Sequence, residues 1–196
     1  FVSPINIAHV TPKWGDINGG TIVRIEGEEM SNTKFSPFVD YRCNFGNSST
    51  TTIATVMSHK AITCSVPVGT QVGNTPLVLT VQGHIVSVNE ISYEYTAEPV
   101  AVSVVPSEVS MRGGEKIRIY GHYDLPAGHS DAWCMFDRRV VRASVSPIHI
   151  ECIAPPAMKS GLSSITVSVN GADYFPSTSH SNKLHIYYHD RVEVKS

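Results

Sequence analysis

Residues 43–67 read "CNFGNSSTTTIATVMSHKAITCSVP", two cysteines held apart by Ser, Thr and β-branched residues and closed by a proline. Branching at Cβ suits the pleated surface of a sheet better than a helix, so the stretch reads as strand and turn. Residues 134–155 repeat the arrangement as "CMFDRRVVRASVSPIHIECIAP". Each pair of cysteines therefore recurs together with its surroundings.

The repetition continues outward. Pro12, Gly20 and Gly27 mark "VTPKWGDINGGTIVRIEG", and Pro106, Gly114 and Gly121 mark "VVPSEVSMRGGEKIRIYG" at one constant offset. Cys64, Pro67 and Gly83 correspond in the same way to Cys152, Pro155 and Gly171, the second copy having shorter loops between the two sets. A period of this kind is a statement about architecture before it is one about function.

Within each copy apolar residues alternate with period two, as in strands with one buried face. Val23 and Ile25 match Ile117 and Ile119; Leu77, Leu79 and Val81 match Ile165, Val167 and Val169; Ile91, Tyr93 and Tyr95 match Leu184, Ile186 and Tyr188. These form the expected core. Short strands, turns rich in Gly, Pro, Asn and Ser, and no helical period predict an all-β protein of two tandem sandwiches, about 95 residues each. The expected domains are residues 1–96 and 97–189, with 190–196 a charged linker or tail.

These motifs resemble the IPT/TIG family, the immunoglobulin-like domains shared by plexins, Met-type receptors and Rel-type transcription factors. The resemblance rests on "I-x-x-V-x-P" from Ile7 to Pro12, "GGT-x-V-x-I-x-G" from Gly19 to Gly27, "C-x-F-G" from Cys43 to Gly46, and "ITCSVP" ending at Pro67. The second copy keeps "V-x-P" and "GG-x-x-I-x-I-x-G" but places Asp137 where the family pattern has glycine, which bears on the local turn and not on the fold. The resemblance implies tandem immunoglobulin-like sandwiches and a role in recognition.

Two equivalent cysteine pairs suggest the disulfides Cys43–Cys64 and Cys134–Cys152, out of three possible pairings. Zinc sites and buried free thiols are the alternatives, although no C-x-x-C spacing occurs. Bridges closing loops of about 20 residues would each stabilise a sandwich by roughly 3 kcal/mol. They would also place maturation in an oxidising compartment, giving an extracellular or cell-surface location as part of a larger, membrane-anchored protein. Asn47-Ser48-Ser49 is an N-glycosylation sequon consistent with that setting, whereas Asn74-Thr75-Pro76 carries proline at its third position.

Composition narrows the functions. The 196 residues are 41 % hydrophobic and 16 % charged, with a formal net charge of -2. That balance suits a packed core and lacks the strongly basic surface of a nucleic-acid binder. The longest apolar runs, such as "PVAVSVV", are too short to cross a bilayer, so no direct membrane insertion is expected. Beginning at Phe1, the chain is expected to be processed or excised from something longer.

Catalytic signatures are missing: there is no H-E-x-x-H, G-x-S-x-G, P-loop or G-x-G-x-x-G. No enzyme activity, catalytic residue, cofactor or resident metal is expected, though His122, Asp124, His129 and Asp131 could ligate an ion if their loop folded back on itself. Partner-binding candidates are Trp14 and Trp133, the largest apolar side chains, and the basic patch Arg138, Arg139 and Arg142. Phe35, Phe38 and Tyr120 leave open whether each is core or contact.

The leading expectation is a noncatalytic ectodomain segment recognising another extracellular or cell-surface protein, with self-association possible through sheet edges or exposed aromatics. The alternatives are a stiff spacer presenting other domains and an accessory carbohydrate-binding module of a secreted enzyme. Intact mass before and after reduction should differ by four hydrogens, with peptides joining Cys43 to Cys64 and Cys134 to Cys152. Four free thiols would remove the compartment argument.

Overall fold

A computed structural model describes residues 4–28, 35–46, 51–175 and 184–190, and its strands divide between two compact units, Phe1–Glu98 and Pro99–Ser196. Among the described residues every regular element is a strand.

The first unit holds β1 (Ile7–Thr11), β2 (Trp14–Asp16), β3 (Ile22–Gly27), β4 (Tyr41–Phe45), β5 (Thr51–Ile53), β6 (Thr55–Ser58), β7 (Ala61–Ser65), β8 (Gly73–Val81), β9 (His84–Ile85) and β10 (Ile91–Thr96). One sheet runs in the order β1-β3-β7-β6 and the other β2-β10-β8-β4-β5, with β9 on β8. The segment containing Pro12 passes the chain from the first sheet to the second, since β1 pairs with β3 while β2 lies parallel to β10. Proline suits such a crossing because it cannot donate to either ladder.

The second unit holds β11 (Val100–Val105), β12 (Glu108–Ser110), β13 (Lys116–His122), β14 (Asp131–Phe136), β15 (Arg139–Ser146), β16 (His149–Ile153), β17 (Gly161–Ser168) and β18 (Leu184–His189). Its order is β11-β13-β16-β15-β14-β17-β18-β12. The copies differ at one strand. The start of β15 pairs with β14 and its end with β16, so a single continuous strand joins both halves of the sandwich. In the first unit the corresponding run breaks at Ala54 into β5 and β6, one on each sheet.

The period-two pattern describes the core well. Val23, Ile25, Leu77, Leu79, Tyr93, Ile117, Ile119, Ile165, Val167 and Ile186 are all at most 1 % exposed. Val81, Ile91 and Leu184 are half-buried. Both disulfides lie in this interior: Cys43 on β4 is bonded to Cys64 on β7, and Cys134 on β14 to Cys152 on β16. Each bond spans from one half of its sandwich to the other, and all four cysteines are at most 3 % exposed.

The paired glycines also acquire a reason. Gly113 has φ +65°, and a Cβ there would lie 2.6 Å from Pro156 N and 2.7 Å from Ala154 O. Gly19 repeats this against Pro67 and Val68, with a Cβ 2.6 Å from the Pro67 carbonyl carbon. The Gly-Gly turn is therefore pressed against the segment that comes after the second cysteine, and Gly20 N and Gly114 N bond to Val66 O and Ala154 O across that contact. A tyrosine also ties this segment: Tyr95 OH donates to Pro67 O at 3.0 Å, and Tyr188 OH to Pro155 O at 2.9 Å.

Gly113→Ala should cost more than about 3 kcal/mol, because it combines a left-handed backbone with a backbone clash. Gly114→Ala should cost only about 1–2 kcal/mol, since φ is +86° but the space around it is open. Urea unfolding of the two variants measures the difference, and equal losses would reject the packing role.

Candidate functional site

The expected contact residues fare differently. Trp14, a partner-binding candidate from the sequence, belongs to β2 and is 4 % exposed, too covered to present a contact surface. Trp133 faces away from Cys134, as the pleat requires, and is half-buried with its indole over the Gly171 turn. Phe35 is core, packed edge-on to Tyr41 at 5.4 Å, while Phe38 is 95 % exposed. Tyr120 lies at the surface 5.8 Å from the His149 ring. Asn47 lies outside the described residues.

The three arginines do not form one patch. Arg138 is in the β14–β15 turn. Arg142 sits opposite Trp133 on β15 and is paired with Asp131 at 2.8 Å. Arg139 stands at an odd number of positions from Arg142 on the same strand, so the pleat sends it to the other face, where it donates to Pro156 O. The reason is geometric: a cluster dense in sequence is split by period-two alternation. The His122 cluster is likewise dispersed, His122 lying 3.3 Å from Asp124 while Asp131 is held by Arg142. Among the described residues no three His, Cys, Asp or Glu side chains converge as metal ligands do.

Arg138 and Arg139 meet residues that no sequence motif singles out. Together with Met158, Lys159, Leu162 and Tyr188 they line an open groove of about 550 Å³ in the second unit. Its floor is the segment after Cys152. That segment forms no strand, yet its backbone is tied at each step: Pro155 O accepts from Tyr188 OH, Pro156 O from Arg139, and Ala157 N donates to Met111 O at 2.9 Å. Anchored in this way, it presents Met158 at 90 % exposure beside Leu162 at 71 %. The only sequence signal is an apolar residue and a lysine in "AMKSG" between a cysteine–proline pair and a strand, which leaves their orientation open.

Asp137 shapes the charge of this groove. It occupies the Gly46 position of the first unit and keeps the left-handed turn, φ +52° against +83°. A Cβ at Gly46 would meet Thr75 Oγ1 at 2.5 Å, whereas Ser163 at the corresponding place donates its hydroxyl to Asp137 Oδ2 at 2.9 Å. Ser164 N and Oγ donate to Oδ1 at 2.9 and 3.0 Å. Partial burial works to raise this carboxyl's pKa. The Ser164 and Ser163 hydrogen bonds and the nearby His185 outweigh it and hold the group below the usual carboxylate range.

Cations elsewhere in the second unit are better matched. Lys116 and Arg118 share Glu151 at 2.8 and 2.9 Å, and those two bonds hold Glu151 below its ordinary pKa. By contrast, Arg138 and Lys159 have no ion-pair partner among the described residues. The groove therefore combines exposed aliphatic surface with unmatched positive charge.

The family profile described as the IPT/TIG domain matches residues 4–96 and 99–186, nearly the whole chain in two copies. The chain belongs to the IPT/TIG family. A solved structure of the plexin A4 full extracellular region, domains 1 to 10, superposes with a TM-score of 0.56 at 20 % identity, covering 95 % of this chain and 16 % of that one. A second plexin A4 structure gives 0.50 at 20 % identity, covering 94 % and 18 %. The Escherichia coli adhesin FdeC gives 0.38 at 12 % identity, covering 96 % and 65 %. The likeness to plexin A4 is one of fold, and this chain spans less than a fifth of its length. No curated protein matches by sequence.

Asp137→Asn keeps a side chain that tolerates the left-handed turn and removes the carboxylate's charge from the hydrogen bonds to Ser163 and Ser164. It should cost about 1 kcal/mol near neutral pH, a modest value because water competes at an exposed carboxylate. Since the folded pKa is lowered, this contribution is complete above the unfolded value of about 3.9 and is lost as pH falls through the folded one. Urea unfolding of variant and parent at about pH 7 and about pH 2 should show the gap closing in acid, and an equal gap at both would reject the role.

Proposed function

We propose that the chain is a noncatalytic, extracellular segment that recognises another extracellular or cell-surface protein. The observation that carries recognition is the anchored segment after Cys152, which holds Met158 in water next to Arg138 and Lys159, cations with no ion-pair partner among the described residues. A folded chain gains nothing in stability from an aliphatic side chain fixed in solvent, and covering it on binding is favourable.

The compartment rests on chemistry. Two buried disulfides crossing the two sandwiches persist in an oxidising environment and are rare where thiols are kept reduced. The extracellular region of plexin A4 shares the fold, and its setting is transferred to this chain as part of the proposal. Backbone tie points around the groove indicate a rigid recognition surface, for which little ordering entropy is lost on binding.

The test is to secrete the chain with its disulfides formed, tetramerise it through a terminal biotin, and screen it against an array of extracellular proteins. Saturable binding to a protein, abolished by reduction, is expected. Silence across the array from a folded tetramer would favour the spacer reading, and binding confined to glycans would favour a carbohydrate module.

A further inference from the structure

The groove's chemistry defines the kind of ligand it fits, given the recognition role proposed above. It carries Arg138, Arg139 and Lys159 on its walls, and its one lining carboxylate among the described residues, Asp137, is already committed to Ser163 and Ser164. Three cations against one carboxylate leave the local field positive although the chain as a whole carries -2. Arg139 is also positioned in advance, through its bond to Pro156 O. An anionic ligand would meet a cation already fixed at the rim.

Two kinds of anionic ligand are distinguished by the rest of the lining. Sugars are bound by exposed aromatic rings together with many polar groups. Here the aromatic rings with a place in the lining, Phe136 and Tyr188, are each 3 % exposed, and the Tyr188 hydroxyl is occupied by Pro155 O. The exposed apolar groups are instead Met158 and Leu162, which offer contact area and no directed hydrogen bonds. They suit aliphatic side chains of a peptide.

Backbone pairing is also limited. Pro155 and Pro156 have no N–H to donate, and β17 pairs with β18 along Gly161–Ile165 and with β14 along Ile165–Ser168. The proline segment offers no backbone donors, and the chemistry that selects a ligand is that of the lining side chains. We propose that the groove between the β14–β15 turn and residues 155–162 binds an extended peptide segment in which carboxylates alternate with aliphatic residues. The carboxylates pair with Arg138, Arg139 and Lys159, and the aliphatic groups cover Met158 and Leu162. Such binding has few contacts and strong charge dependence, giving affinity in the micromolar range or weaker at moderate salt.

Fluorescence polarisation with the full chain and a fluorescein-labelled peptide of alternating glutamate and leucine tests this, with a lysine-for-glutamate peptide and a heparin hexasaccharide alongside. The acidic peptide should bind saturably and the basic one should not. Raising salt from about 0.1 M to about 0.5 M should weaken binding by about tenfold. Lys159→Glu should weaken it by about tenfold, and Met158→Ser combined with Leu162→Ser by about fivefold, with thermal midpoints unchanged because all three side chains are exposed. Arg142→Glu, on the other face, should leave binding as it was.

No binding of the acidic peptide, binding indifferent to Met158 and Leu162, or binding of heparin alone would overturn the inference. Should the array find a protein partner whose capture is unaffected by these variants, the recognition role stands and this groove is not its site. If neither peptide nor array protein binds, both readings fail together.

Discussion

The bond from Cys134 to Cys152 sets the course of the second unit's chain beyond β16. It ties β14 to β16 through the core, between halves of the sandwich otherwise joined by side-chain packing and by the continuous strand β15. Cross-linking of this kind removes freedom from the unfolded chain, on the order of 3 kcal/mol for a loop of this size. Because Cys152 is fixed, the residues after it begin from a fixed point. Gly113 packs against them and Tyr188 bonds to them, so an irregular segment becomes as determined as a strand.

The first unit builds the same junction with Cys64, Gly19 and Tyr95. The surfaces that the two units place on it differ. After Cys64 the chain runs "SVPVGTQVG", with Val68 and Val72 exposed and no basic residue, and Gly46 turns the neighbouring hairpin without a side chain. After Cys152 it runs "IAPPAMKSG", and the hairpin turn carries Asp137 followed by two arginines. One scaffold therefore holds two surfaces of different charge, which is the usual relation between a fold and the sites placed on it.

Asp137 shows how such a change is accommodated. A left-handed backbone without glycine costs on the order of 1 kcal/mol, and the side chain offsets this through bonds to Ser163 and Ser164. In the first unit Thr75 stands where Ser163 stands and would meet a Cβ at Gly46, so the two turns are alternative solutions tied to their cross-strand neighbours. The departure from the family pattern thus leaves the turn intact. Its consequence is electrostatic: the turn brings one ionised carboxylate and two arginines, and with Lys159 the cations lining the groove outnumber it three to one.

Fold class, duplication and most of the core were legible in the sequence because each depends on local periodicity. A strand exposes alternate residues to opposite faces wherever it lies, so Ile117, Ile119, Ile165 and Val167 could be assigned inward without knowing their neighbours. The equivalence of the cysteine pairs came from the repeat in the same way. Tertiary structure alone decided which surface residues work together. Trp14 was covered because its segment joined the second sheet, Arg139 and Arg142 were parted by the pleat, and Met158 was held outward by partners at Met111, Gly113 and Tyr188. Those outcomes depend on contacts between residues far apart in the chain, which a local pattern does not encode.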